Sequence, residues 1–263
     1  MTIQLIKSYA QTAFGQVHYR MTPTRAGMPV VLLHQTASSS AMFEEIMRLL
    51  GDTCWLLAPD TPGYGESFDP EMSPSIPFYA EVIYAMLKTL SIDKCFVFGH
   101  HTGAAIAVEL AAAYPNLVRK MILSGPPLMS EAQKAQLAAG LRPLALTENG
   151  DHLLPVWQRL RGRAPQAPLT LTHRETLLTL RADRYHETYQ AAFDYDFAGR
   201  LAGLTLPILV MAGEHDTLRA SLEPTFALLQ HGEMRVLPEA GTYLCDLQPD
   251  LVADILQSYF LRP

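Results

Sequence analysis

The chain has 263 residues, a net charge of −6 and an apolar share of 49%, enough for one large α/β domain with an insertion, or two small domains, around a sizeable core. Mild acidity gives no reason to expect nucleic-acid binding. No run of about 18 apolar residues suggests a membrane span, and the N-terminal "MTIQLIKSYAQ" lacks the apolar stretch of a secretory signal. Cys54, Cys95 and Cys245 are odd in number, widely spaced and without zinc-site spacing, so they read as reduced, buried thiols of a cytoplasmic protein.

"IQLIKSYA" (3–10) and "GQVHYRMT" (15–22) alternate apolar and polar residues, which predicts an antiparallel hairpin with one solvated face. "PVVLLH" (29–34) is a continuous apolar run, the mark of a strand buried on both faces. "TCWLLAPD" (53–60), "KCFVFG" (94–99), "KMILSG" (120–125), "PILVMAG" (207–213) and "MRVLPEA" (234–240) repeat that pattern. Helical patterns lie between them, at 40–50, 76–91, 102–113, 218–230 and 247–260. Strands alternating with helices predict an α/β fold with a mostly parallel sheet, right-handed crossovers and ligands beyond the carboxyl ends of the strands.

Residues 128–203 break the alternation. Stretches such as "THRETLLTLRADRYHETYQAAF" have helical spacing, and no buried strand is evident. The chain therefore divides into a core, 1–127 with 204–263, and a helical cap, 128–203. The cap holds nine Lys+Arg and eight Asp+Glu, counted along 128–203, a balance that does not support a strongly anionic substrate.

The stretch "FVFGHHTGAAIAVELAA" (96–112) runs from an apolar strand through Gly99 into a helix. Two glycines, Gly99 and Gly103, bracket His100, His101 and Thr102, the pattern of a sharp strand-to-helix turn that presents its middle residue.

With these segments in order, the chain resembles the capped α/β-hydrolases over nearly its whole length. "APDTPGYGES" matches that family's D-x-P-G-x-G-x-S segment, "GHHTG" sits where G-x-S-x-G belongs, "MAGEHD" resembles the strand end that carries the catalytic acid, and "LPEAGTYLCDLQPD" the segment in which a histidine follows a glycine. The resemblance implies a mostly parallel eight-stranded sheet flanked by helices, with the cap inserted between strands 6 and 7. It also implies that Asp216 is the acid, and that "VVLLHQTASSS" is the loop after the third strand, where His34, Gln35 and Thr36 lie near the substrate.

Two of the family's three catalytic positions depart from the pattern: His101 stands in place of the nucleophile and Thr242 in place of the histidine. A serine acyl-enzyme is therefore not expected. The two departures complement each other in volume. A His101 ring reaching toward the space left at Thr242 would meet Asp216, within about 2.6–3.2 Å for a hydrogen bond. The rival arrangement leaves Asp216 with Thr242 and His101 alone. Backbone N–H groups of Thr102 and of Gln35 or Thr36 remain as oxyanion donors. Trp157, Tyr185, His186, Tyr189 and Phe193 are the cap's candidates for lining a pocket. His100 is expected to face away from it, and Asp60, in its turn segment, to be structural. Cys245 lacks a base.

The reading is a cofactor-free enzyme without a metal site, acting on a small molecule. His101 serves as general base or nucleophile with Asp216, and hydrolysis comes first. The alternatives are proton abstraction beside a carbonyl, giving lyase or isomerase chemistry, and a non-catalytic binding protein that keeps the pocket.

Overall fold

Strand β1 spans Ile6–Gln11, β2 Gln16–Met21, β3 Val30–Leu33, β4 Leu56–Pro59, β5 Cys95–His100, β6 Val118–Ser124, β7 Ile208–His215 and β8 Gly232–Gly241. The computed structural model describes residues 3–141 and 143–261; the outer ends of the expected core and Arg142 of the expected cap lie outside them. The eight strands form one sheet in the order β1-β2-β4-β3-β5-β6-β7-β8. β2 pairs antiparallel with β1 and β4, and all pairings from β4 through β3 to β8 are parallel.

Helices α1 (Glu44–Leu50), α2 (Ile76–Thr89) and α3 (Thr102–Ala113) follow β3, β4 and β5 in turn. Between β6 and β7 run α4 (Glu131–Ala139), α5 (Leu153–Arg163), α6 (Leu169–Arg181), α7 (Tyr185–Asp194) and α8 (Phe197–Ala202), with no strand among the described residues of that stretch. The chain closes with α9 (Leu222–Phe226), α10 (Leu244–Leu247) and α11 (Pro249–Leu256). Local signals set several starts. Ser75 caps α2, with Pro77 in its first turn, and Ser130 and Gln133 close a capping box on α4.

Each face of the sheet carries a core. α2, α3 and α8 cover one, with Val97, Met121 and Val210 beneath them; α1 and α11 cover the other, with Leu32, Phe98 and Leu209. α3 is buried from Thr102 to Ala111 and is rich in alanine, so it lies close against the strands. A Cβ at Gly103 would overlap the Leu33 carbonyl, which is why a glycine follows the turn there.

Two strand readings need correction. The predicted wet face of the hairpin belongs mainly to β1; β2 is buried at every position but its first, because β4 flanks it and a polar network fills its neighbourhood. β8 was expected to be buried on both faces, yet most of it is exposed, because it is the sheet's last strand. The helix expected over 218–230 is a short 3₁₀ turn plus α9. All three described cysteines are free and buried, and no described helix is long and apolar enough to cross a membrane.

Candidate active site

β5 ends at His100 and α3 begins at Thr102, so His101 alone makes the turn. It does so at φ +50°, ψ −113°, a conformation rarely adopted by residues with a β-carbon and found most often at functional sites. Its backbone is held from both sides. Its N–H donates to the Ser124 carbonyl at 2.9 Å, and its carbonyl accepts from the Ala104 N–H at 2.8 Å.

The ring of His101 reaches across to the end of β7, where Nε2 lies 3.0 Å from Asp216 Oδ2. A carboxylate only accepts, so Nε2 carries the hydrogen, and in the neutral ring the lone pair sits on Nδ1. No described residue hydrogen-bonds that nitrogen, and His101 forms part of a cavity wall. Asp216 itself is nearly sealed, its side chain 1% exposed against 13% for His101. Its Oδ1 accepts from the Leu218 N–H at 2.7 Å. Burial pushes the Asp216 carboxyl up, but the adjacent His101 ring, then His100 and the Leu218 N–H, outweigh it and hold the group well below the usual carboxylate range.

Gly125, just after β6, permits this contact. It sits at φ +56°, and a Cβ there would overlap the His101 ring and come within 3.2 Å of Asp216 Oδ2. Thr242 lines the same cavity, but its hydroxyl has Thr217 Oγ1 at 3.5 Å as its neighbour and no hydrogen bond to Asp216 among the described residues.

His100 turns the other way, as expected. It is fully buried, with Nε2 at 2.9 Å from the Thr242 carbonyl and Nδ1 at 3.0 Å from Ser124 Oγ. The carbonyl requires a donor, so Nε2–H faces it and the Ser124 hydroxyl donates to Nδ1. Burial drives its pKa down to about 3, so the ring is neutral. Nitrogens or oxygens of His100, His101 and Asp216 lie within 4.8 Å of one another. With both nitrogens of His100 engaged, the cluster reads as a hydrogen-bonded scaffold rather than a ligand set for a metal.

The cavity encloses about 110 Å³. Gln35, Thr36 and Thr102 line it beside His101. Thr102 opens α3, where helix N–H groups have no acceptor within the helix. The Tyr189 hydroxyl donates to the Thr36 carbonyl at 3.1 Å and so ties the loop after β3 to α7.

Three of the expected substrate-binding residues lie elsewhere. His34 is buried off the cavity wall, with Nδ1–H donating to the Gln35 carbonyl at 2.8 Å and Nε2 accepting from the Thr61 N–H at 2.9 Å; burial lowers its pKa. It holds two loops together and has no free nitrogen. Trp157 and His186 also miss the wall, because α5 and α7 turn adjacent faces inward. Tyr185, Tyr189 and Phe193 do line it, four residues apart on one face of α7. The sequence reading missed Arg159, Arg163, Glu175 and Tyr243, all on the wall. The i, i+4 spacing of the two arginines was the available signal. Cys245 is fully buried and its thiol is pushed well above the ordinary range.

This sheet and turn define the class. A family model for the alpha/beta hydrolase fold matches residues 28–241, and the chain belongs to that family. A 2-(acetamidomethylene)succinate hydrolase of Mesorhizobium japonicum is 26% identical over 265 residues, covering 93% of this chain and 92% of its own. Several other curated relatives, a haloalkane dehalogenase and serine hydrolase-like proteins among them, are matched over only 34–58% of their own length. Among solved structures, a lipase-like protein of Acinetobacter baumannii superposes with a TM-score of 0.83 at 18% identity, covering 98% of this chain and 91% of that one. E-2-(acetamidomethylene)succinate hydrolase superposes with a TM-score of 0.74 at 22% identity, covering 97% and 99%. At these identities the two structures speak for the fold.

Proposed function

We propose that the protein is a hydrolase of small acyl compounds in which His101, oriented by Asp216, activates water in place of a serine. The observation that carries this reading is the 3.0 Å contact from His101 Nε2 to Asp216, with Nδ1 left without a partner among the described residues and the residue on a cavity wall. In this mechanism Nδ1 takes a proton from water while the water oxygen bonds to the carbonyl carbon. Asp216 stabilises the imidazolium so formed. The developing oxyanion faces the Thr102 N–H and the loop of Gln35 and Thr36. The imidazolium then returns the proton to the leaving oxygen or nitrogen as its bond to carbon breaks, giving an acid and an alcohol or amine.

In this reading the segment 128–203 acts as a cap that excludes bulk water from the step. The relative from Mesorhizobium japonicum is named for hydrolysis of an acetamido compound, and an amide or ester of modest size agrees with a cavity of about 110 Å³.

The test is a panel of small esters, amides and lactones assayed in ¹⁸O-labelled water, with wild type and His101→Ala side by side. The expected outcome is label in the acid product, turnover lost in the variant, and no labelling of the wild type by serine-directed fluorophosphonates. Deuterium entering at the carbon beside the carbonyl in a parallel assay in D₂O, with no ¹⁸O uptake from labelled water, would instead assign proton abstraction. No turnover anywhere, with His101→Ala changing only ligand affinity, would make this a binding protein.

A further inference from the structure

α5 carries arginines at positions 159, 161 and 163, and the three do different things. Arg161 bonds to the Ala167 carbonyl at 2.6 Å, to the Pro165 carbonyl and to Thr172 Oγ1 at 3.2 Å, and so fastens the helix end to the turn that follows. Arg159 and Arg163, four residues apart, share the helix face that lines the cavity above His101. Among the described residues neither is in an ion pair, and the buried Nε of Arg159 has no hydrogen-bond partner. The Arg159 guanidinium lies 5.5 Å over the Tyr185 ring, which sets its plane. Arg163 is exposed near the helix end at the rim of the cavity, and its charge is felt at the Tyr243 hydroxyl.

This arrangement is unfavourable on its own. Like charges at i, i+4 repel, and a buried donor without an acceptor forfeits its hydration. Two other arginines of the chain are paired: Arg174 is shared between Glu175 and Asp246, and Arg200 is bound to Glu109. The cavity's own carboxylate, Glu175, does not neutralise the pair. Its Oε1 accepts from Arg174 at 2.6 and 2.8 Å and from Ser38 at 3.1 Å. Burial raises its pKa, which weakens it further as a counter-ion.

We infer that Arg159 and Arg163 form a carboxylate-binding subsite, so that the substrate is a small acyl compound carrying an anionic group at the end remote from the bond attacked at His101. This inference rests on the proposed function for its account of the reacting end, but the subsite stands on the α5 residues alone. A planar guanidinium fixed over a ring and presenting free N–H groups suits the two oxygens of a carboxylate. An anion there would meet the free N–H groups of the guanidinium ends, relieve the repulsion between the two side chains, and orient the acyl group.

The experiment is calorimetric titration of the full chain with succinate and glutarate, and with succinamide as the neutral counterpart. The dicarboxylates should bind and succinamide should not. Arg159→Gln and Arg163→Gln should each weaken succinate binding by about tenfold or more, the loss of a charge-assisted hydrogen bond, and Arg159→Lys should recover part of it. Unchanged melting temperatures would show that the variants fold. Equal binding of succinate and succinamide, no binding of any dicarboxylate, or undiminished binding in both glutamine variants would overturn the subsite. His101→Ala keeps the arginines, so it should bind succinate like wild type. If wild type binds succinate and turns over no acyl substrate, the hydrolase reading falls and the subsite stands. If neutral esters turn over as fast as anionic ones, the subsite falls and the hydrolase reading stands.

Discussion

Among the described residues two histidine–aspartate pairs are built for different ends. On the β2–β4 side, His18 Nδ1 lies 2.7 Å from Asp60 Oδ2, with side-chain exposures of 4% and 1%. Asp60 also accepts from the backbone N–H of Ser40 at 2.7 Å and of Glu66 at 2.9 Å, so its carboxylate is the knot that ties β2, the loop after β3 and the turn after β4. On the β5–β7 side, His101 and Asp216 make a similar contact at 3.0 Å, but the histidine sits on a strained turn at a cavity wall. The same pair of residue types is a structural clamp in one place and a candidate base in the other. What separates them is the surroundings of the ring, since His101 lines a cavity and is 13% exposed where His18 is 4% exposed, which pair chemistry alone does not encode.

The largest expected difference between the two pairs is in activity. If the site hydrolyses an acyl substrate, His101→Ala should lower kcat by about 100- to 10,000-fold, the range for loss of a general base, with little change in melting temperature. His18→Ala should do the reverse. A substrate turnover assay beside thermal melts reads both, and equal rate losses would abolish the distinction.

Asp60→Ala should come next, costing about 3–5 kcal/mol of stability, as for removal of one partner from a buried charged pair. Urea unfolding checks it. Asp216→Asn should cost stability too, since its carboxylate is also held below the usual range, but it should lose rate as well, because the amide no longer fixes the His101 tautomer.

Gly125→Ala tests the path between ring and carboxylate. The strain of a β-carbon at this positive φ is about 1–2 kcal/mol, and the added methyl should push His101 off Asp216. The variant should fold and lose turnover; full activity would mean that the His101–Asp216 contact is not needed.

Acid sharpens the comparison from a third side. Both aspartates have folded-state pKa values well below the ordinary value of about 3.9. A carboxyl depressed on folding contributes stability that is fully present above the unfolded pKa and is lost as pH falls through the folded one. Stability should therefore hold down to about pH 4 and fall progressively below it, with Asp60→Asn flattening that limb. The smallest effect should be that of Thr242→Ala, within about 0.5 kcal/mol and with little change in rate, as for a change that breaks no buried network. A large rate loss would bring the Thr242 hydroxyl into the mechanism.

Much of the fold is legible because its signals are local. Continuous apolar runs announced β3 to β7, and the glycines around His101 announced the turn between β5 and α3. β8 read as buried because "MRVLPEA" looks like a central strand, and no residue within it says that nothing pairs beyond it. His34 read as a pocket residue because its place in the loop is right; the bonds that occupy both its nitrogens come from Gln35 and Thr61, the latter 27 residues away. The near balance of charge along 128–203 concealed Arg159 and Arg163, since most of the acidic residues that balance them in the count face other directions.

The sequence by itself determined the family, the alternation of strands and helices, and the presence of His101 at the turn after β5 and of Thr242 just past β8. Those follow from residue types and spacings along one short stretch of chain at a time. The tertiary structure decided which nitrogen of His101 meets Asp216, that Gly125 clears its path, that His100 is locked between Ser124 and Thr242, and that Arg159 lies over the Tyr185 ring at the cavity wall. Each of these is a contact between groups far apart in the chain, and its energy depends on distance and burial, which no linear pattern carries.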